Sequence, residues 1–233
     1  MTEELKLAIE NLYSTFSTYA FNSTMEGCPC CVSNTDKEKI HSKKLRELTE
    51  VDLSRYTAKA MTTWGDENDY KHYLPRIFEL LSTTDFIVST FIVLGKLEYG
   101  QWKTWKENEQ VAIKKFLFAW WTDLVKNKNS FDYEAFIEVL KLTDNIDEFL
   151  KLWTIDFDNY SFANYVEFVY TYYNDLNSKR TEFRELSEVT CDKLLTWIND
   201  NSNNLEKGFY EFADKDKDFA ERISITQYIF ERT

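Results

Sequence analysis

The amino-acid sequence predicts an all-α protein, either an irregular helical bundle or a short α-solenoid-like stack of helix pairs, and three observations carry that prediction. Only five Gly and two Pro occur in 233 residues, too few for the many tight turns of an all-β fold. Apolar side chains recur at three- and four-residue spacing, the signature of a helix face, over most of the chain. Hydrophobic residues at 43% and aromatics at 17% supply enough apolar volume to offset the entropy of ordering the backbone.

Taken in order, Leu5, Ala8, Ile9, Leu12, Phe16, Tyr19 and Ala20 mark a first helix over 3–21. A Cys-rich loop, 21–34, follows, and Thr35 is placed to cap a short helix bearing Ile40 and Leu45. Thr49-Glu50-Val51-Asp52 reads as the N-terminal cap of a third helix carrying Leu53, Tyr56, Ala60 and Met61, with Gly65 positioned to end it in a left-handed turn. Asp66 to Tyr73 reads as a short helical turn, and Pro75 as the first turn of a separate helix over 74–83. The β-branched stretch 86–94 suits a buried strand or a helix; with no partner strand in the chain, helix is the expectation. Positions 113, 116, 117, 120, 121 and 124 form a wide stripe on a central helix starting at Glu107. Six further helices are expected at 132–142, 146–154, 159–176, 183–200, 202–213 and 217–231. The chain fits a single helical domain, with the polar run Lys126-Asn127-Lys128-Asn129-Ser130 as the place for any subdivision near 126–130.

Charge is unevenly spread. The net charge is −12, and residues 131–233 hold 22 Asp and Glu against 11 Lys and Arg, while residues 1–130 are nearly balanced at 18 against 17. Such a field repels a phosphate backbone, which argues against nucleic acid as a partner. It serves solubility, and its sharper reading is a surface for a basic protein. No apolar run reaches the roughly 18 residues of a membrane span, and the acidic N-terminus lacks the basic residues of a signal peptide. The expectation is a cytoplasmic protein with no membrane partner.

The most chemically specific element is Gly27-Cys28-Pro29-Cys30-Cys31, which gathers three of the four cysteines. Thiolates this close can grip a soft ion such as zinc, and one of the two histidines, His72 or His41, can complete the shell. The candidate metal ligands are therefore Cys28, Cys30, Cys31 and His72. The pattern lacks a second Cys-x-x-Cys pair or a His-x3-His, so free inert thiols remain the alternative. A Cys28/Cys31 redox pair is a further reading, disfavoured because such pairs operate at a strand-to-helix junction. Cys191 shares an apolar face with Leu194, Leu195 and Ile198 and reads as core.

Asp66, Asp69, His72 and Arg76 share a helical spacing and could line a polar pocket in which His72 acts as ligand or acid–base group. The opposing reading has Asp66 capping, His72 bonded to a backbone group and Arg76 paired with Glu79 or an Asp. Asp214-Lys215-Asp216-Lys217-Asp218 imitates the start of a calcium loop, but Phe219 and Ile225 occupy the positions that need Gly and Glu, so it reads as a solvated turn. The aromatic stretch 160–173 has Phe162, Tyr165, Val166, Val169 and Tyr173 on one stripe with Phe168 and Tyr170 off it, which predicts burial on two sides or a patch for a partner.

Gly27 to Cys31, Thr62-Thr63-Trp64-Gly65-Asp66 and His72-Tyr73-Leu74-Pro75-Arg76 together resemble a bacterial family of uncharacterised helical proteins, over about the first 125 residues. The resemblance implies a bacterial cytoplasmic origin and directs attention to the Cys loop and the His72 region, without implying an activity. No motif specifies a reaction. The leading expectation is a non-enzymatic interaction module whose acidic C-terminal surface binds a protein, and the alternative is a zinc-binding protein, possible enzyme included, built on the Cys28–Cys31 loop.

Overall fold

In the computed structural model, which describes residues 1–143 and 145–230, the protein is all-α. Twelve α-helices are joined by turns and three short 3-10 segments, and the described residues contain no β-strand. No helix among them is long and apolar enough to cross a membrane. The chain divides into two compact units, Met1–Trp120 and Trp121–Thr233. The division falls inside one helix, upstream of the polar 126–130 run.

The first unit contains α1 (Glu3–Phe16), α2 (Asn34–His41), α3 (Glu50–Lys59), α4 (Glu67–Thr83), α5 (Thr90–Tyr99) and most of α6 (Glu107–Asn127). Helix α1 packs on α4, α2 on α3, and α3 and α4 on α5. Its core is aromatic and aliphatic, with Phe16, Tyr56, Trp64, Tyr70, Phe78, Trp102 and Phe116 all inaccessible or nearly so.

Several boundaries depart from the sequence reading. Helix α1 stops at Phe16, and Tyr19 leaves it to reach Glu109 through its hydroxyl. The cap of α2 is Ser33, whose hydroxyl accepts from the Asp36 backbone N–H while the Asp36 carboxylate accepts from the Ser33 N–H, so Thr35 lies inside the helix. Leu45 belongs to a separate 3-10 turn, Leu45–Glu47. The Thr49/Asp52 capping box opens α3 as expected, but Met61 at φ 62° takes the left-handed position after the helix, and Gly65 instead shapes the turn ahead of Asp66.

Helix α4 runs unbroken through Pro75. An interior proline costs about 3 kcal/mol in a helix. Here the reciprocal Asp66/Asp69 cap fixes the start, and the buried face of Tyr70, Tyr73, Leu74, Ile77, Phe78 and Leu81 continues across the proline, so packing outweighs the lost bond. The ambiguous stretch 86–94 splits: residues 86–89 are loop, and α5 begins at Thr90.

The second unit contains the end of α6, then α7 (Tyr133–Leu142), α8 (Ile146–Lys151), α9 (Ser161–Asn177), α10 (Glu188–Asp200), α11 (Asn203–Phe212) and α12 (Lys217–Phe230). Neighbouring helices pack in pairs, α11 with α12, α12 with α9, and α10 with both α8 and α9. Helix α8 ends three residues before the expected 154, because Trp153 turns inward and donates its indole N–H to the Ser161 carbonyl. The expected helix over 183–200 begins only at Glu188, behind a 3-10 segment Thr181–Glu185. The expected C-terminal end at 231 lies outside the described residues.

Helix α9 is buried on two sides, since Phe168 is as inaccessible as Phe162 and Tyr165, while Tyr170 is exposed beneath the Arg222 guanidinium. Cys191 is fully buried against the Phe183 carbonyl. The turn between α11 and α12 is exposed, and its Asp216 carboxylate accepts from the Phe219 N–H.

Candidate metal centre

The Cys loop is held by a partner distant in sequence. Gly27 and Trp64 form an isolated antiparallel bridge, the Cys28 N–H donates to the Thr63 carbonyl at 2.8 Å, and the Gly65 N–H donates to the Glu26 carbonyl at 2.8 Å. Beyond this clamp the chain turns back on itself, with the Cys31 and Val32 N–H groups both donating to the Cys28 carbonyl at 2.9 Å. Arg55 on α3 donates from its guanidinium to the Cys31 carbonyl at 2.9 Å and fixes the far side of the turn. Two stretches that the sequence singles out separately, 27–31 and 62–66, are thus one structural feature.

Gly65 is needed at this clamp for two reasons. Its φ is +68°, a region that side chains with a Cβ rarely adopt. A Cβ there would also fall 2.6 Å from the Met25 sulfur and 2.9 Å from an Asp69 carboxylate oxygen. Gly65→Ala is expected to destabilise the protein by about 2–3 kcal/mol in thermal or urea unfolding, from strain plus overpacking.

The turn brings the three sulfurs together. Cys28 Sγ lies 2.8 Å from Cys30 Sγ, Cys30 Sγ lies 3.5 Å from Cys31 Sγ, and all three fall within 4.8 Å of one another. Cys30 is exposed, and Cys28 and Cys31 are half-buried. The Cys30 thiol, followed by the Cys30 backbone N–H, holds the Cys28 thiol below its ordinary value. The same sulfur contact, with a second to Cys31, pushes Cys30 up to about 11. Within the Cys28–Cys30 pair, Cys28 is therefore the first to become a thiolate.

Neither histidine joins this group among the described residues. His72 Nδ1 donates to the Tyr19 carbonyl at 2.9 Å, and its ring stands edge-on to Tyr73. The histidine is held there by the continuity of α4, which places it with Pro75 against the segment after α1. His41 packs edge-on against Phe21, and its Nε2 is buried with no hydrogen-bond partner. Burial, then the neighbouring Lys37, lowers its pKa. Of the other residues in the supposed polar pocket, Asp66 caps α4, and Arg76 donates to the Leu48 carbonyl and to Glu79. Asp69, buried, accepts from Asn22 as well as from the Asp66 N–H.

Beside Cys28 lies an open cleft of about 740 Å³ lined by buried Trp64 and Asp69 and by the exposed carboxylates of Glu26 and Asp66. Trp64 is 1% exposed, and its indole N–H has no hydrogen-bond partner. Compared with known proteins, the chain matches no family model, no curated protein and no solved structure.

Proposed function

We propose that the loop Cys28–Cys31 is a thiolate site for a soft metal ion, with zinc as its reference occupant. The convergence of three sulfurs within 4.8 Å on a turn clamped at both ends supports this reading. Metal–sulfur bonds of about 2.3 Å at the tetrahedral angle set sulfurs about 3.8 Å apart. Two of the spacings, 2.8 and 3.5 Å, are shorter than that value and the third lies within 4.8 Å, so the sulfurs spread apart by up to about 1 Å to seat an ion.

Three protein sulfurs leave one tetrahedral position open to water or an outside ligand, the arrangement of an exchangeable or reactive ion rather than a closed structural one. Binding releases the thiol protons, so affinity rises with pH. The lowered Cys28 thiol offers a thiolate more readily than Cys30, and the exposed carboxylates of Glu26 and Asp66 at the neighbouring cleft raise the local cation concentration.

The test is metal content per chain on protein purified without a metal-affinity tag, next to a Cys28→Ser/Cys31→Ser variant. About one zinc per chain is expected in the parent and close to none in the variant, with unchanged helical circular dichroism. Bound metal should also shield the loop thiols from alkylation. A folded parent that stays metal-free after incubation with zinc would overturn the reading.

A further inference from the structure

The second unit carries a cavity of about 470 Å³ that the metal reading does not use. It opens where the loop before α9 meets the turn between α11 and α12. Phe157, Tyr160, Phe162, Phe212 and Phe219 form its walls. The rings are set at angles to one another: Phe157 and Phe162 lie 4.7 Å apart at 57°, and Phe212 and Phe219 lie 4.9 Å apart at 83°. Phe162 is 1% exposed and seated against Gly208, where a Cβ would fall 2.0 Å from the ring. The floor is therefore fixed, and Phe157, Phe212 and Phe219 remain only half-buried above it.

Two carboxylates, Asp158 and Asp216, stand at this cavity, and among the described residues no lysine or arginine lines it. Ring faces carry negative potential and attract cations, most strongly where water is displaced. An aromatic wall with carboxylates at the rim suits a ligand that has an apolar stem and a positive head. A neutral apolar ligand would leave the charges unused, and an anion would be repelled by both carboxylates and ring faces. The volume lies within the range of small-ligand pockets.

We propose that this cavity binds an alkylammonium group, the chemistry of a lysine side chain on a basic partner or of a free aliphatic amine. The stem packs among the Phe rings, and the ammonium head faces Asp158 and Asp216. This gives the acidic half of the chain a specific contact in addition to its diffuse field.

The experiment titrates the ¹⁵N-labelled full chain with n-butylammonium, with a short lysine peptide, and with the neutral controls n-butanol and the acetyl-lysine form of the peptide. Saturable amide shifts confined to the segments around Phe157, Ala163 and Phe219 are expected for the two cations and not for the controls. The tighter of the two cations identifies the source. In Asp158→Asn/Asp216→Asn the affinity should fall about tenfold. Asparagine is as good an N-cap as aspartate, so the start of α12 is retained in that variant. Equal binding of the neutral controls, no local shifts at all, or an affinity indifferent to the double substitution would each overturn the proposal.

Discussion

Replacing Lys71 with methionine is expected to lower the stability of the first unit by about 3–5 kcal/mol, measured as the unfolding free energy in urea. Lys71 and Glu109 are almost completely buried, with side chains 5% and 1% exposed, and pair at 2.9 Å. The ammonium also lies 4.2 Å from the Trp105 ring centre and 2.8 Å from Glu67 on the rim. Glu109 accepts from the Tyr19 hydroxyl at 2.5 Å. Methionine keeps most of the stem's volume, so the loss arises from leaving the buried Glu109 carboxylate without its close partner at 2.9 Å, with only Lys106, 3.8 Å away and exposed, as a remaining cation. Lys71→Met/Glu109→Gln should recover most of it, because a neutral pair removes both charges together. Single and double variants that are equally unstable would show that packing, not charge, decides the site.

The same pair predicts a pH signature. Burial pushes the Glu109 carboxyl up, but the Tyr19 hydroxyl and Lys71 together outweigh it, and the net value lies below the ordinary one. Burial pushes Lys71 down, but Glu67 and Glu109 overcome it, and its value is raised. A depressed carboxyl contributes stability that is fully present above its unfolded pKa of about 4.3 and is lost as pH falls through its folded value. A raised lysine contributes stability that is fully present below about 10.4 and is lost as pH rises through its folded value. The advantage of the parent over the doubly neutral variant should therefore be widest between about pH 5 and pH 10 and shrink on either side.

What was legible in the sequence was periodic or capped. The stripe Ile113, Phe116, Leu117, Trp120, Trp121 and Leu124 is buried throughout, because a wide apolar stripe on a long helix leaves no competing arrangement. The Thr49/Asp52 box and the Asp66 cap formed as read, because both need only neighbours three residues apart. Pro75 signals a helix start by local preference alone, and the buried face that carries α4 across it is set by packing that local preference does not contain. Gly65 misled because a left-handed glycine signals a turn but not whether a helix lies before or after it.

At the candidate site, the closeness of the three thiols was legible, since four successive residues in a turn can hardly keep them apart. The clamp was not. Gly27 and Trp64 are far apart in sequence, and a single bridge between loops leaves no period to detect. His72 was drawn to the thiols by ligand chemistry alone, whereas its position is set by the register of α4 against the chain after α1. The Phe cavity of the second unit was hidden similarly: its rings come from the loop before α9, from α9 itself and from the flanks of the α11–α12 turn, and only the fold assembles them.

Trp121→Ala is expected to cost the second unit about 3–5 kcal/mol. The indole is 1% exposed and stacks on Phe149 at 4.8 Å and 17°, with Trp153 edge-on at 5.3 Å and Phe136 at 5.4 Å. Phe136 and Trp153 in turn contact Phe168 on α9, so the ring is the common neighbour of residues from α7, α8, the following loop and, through them, α9. Truncation leaves a void bounded by rigid rings that cannot collapse into it as aliphatic chains would. Amide hydrogen exchange should therefore quicken across α7, α8 and α9 together, while the first unit's α1 and α4 keep their protection. Trp121→Phe separates size from polarity. The Trp121 indole N–H is buried with no hydrogen-bond partner, and such a donor costs about 1–3 kcal/mol. Phenylalanine keeps the stack on Phe149 and removes that donor, so its net cost should stay below about 1.5 kcal/mol. If Trp121→Phe proved as damaging as Trp121→Ala, the full indole volume, rather than the stacked ring, would be what holds these helices together.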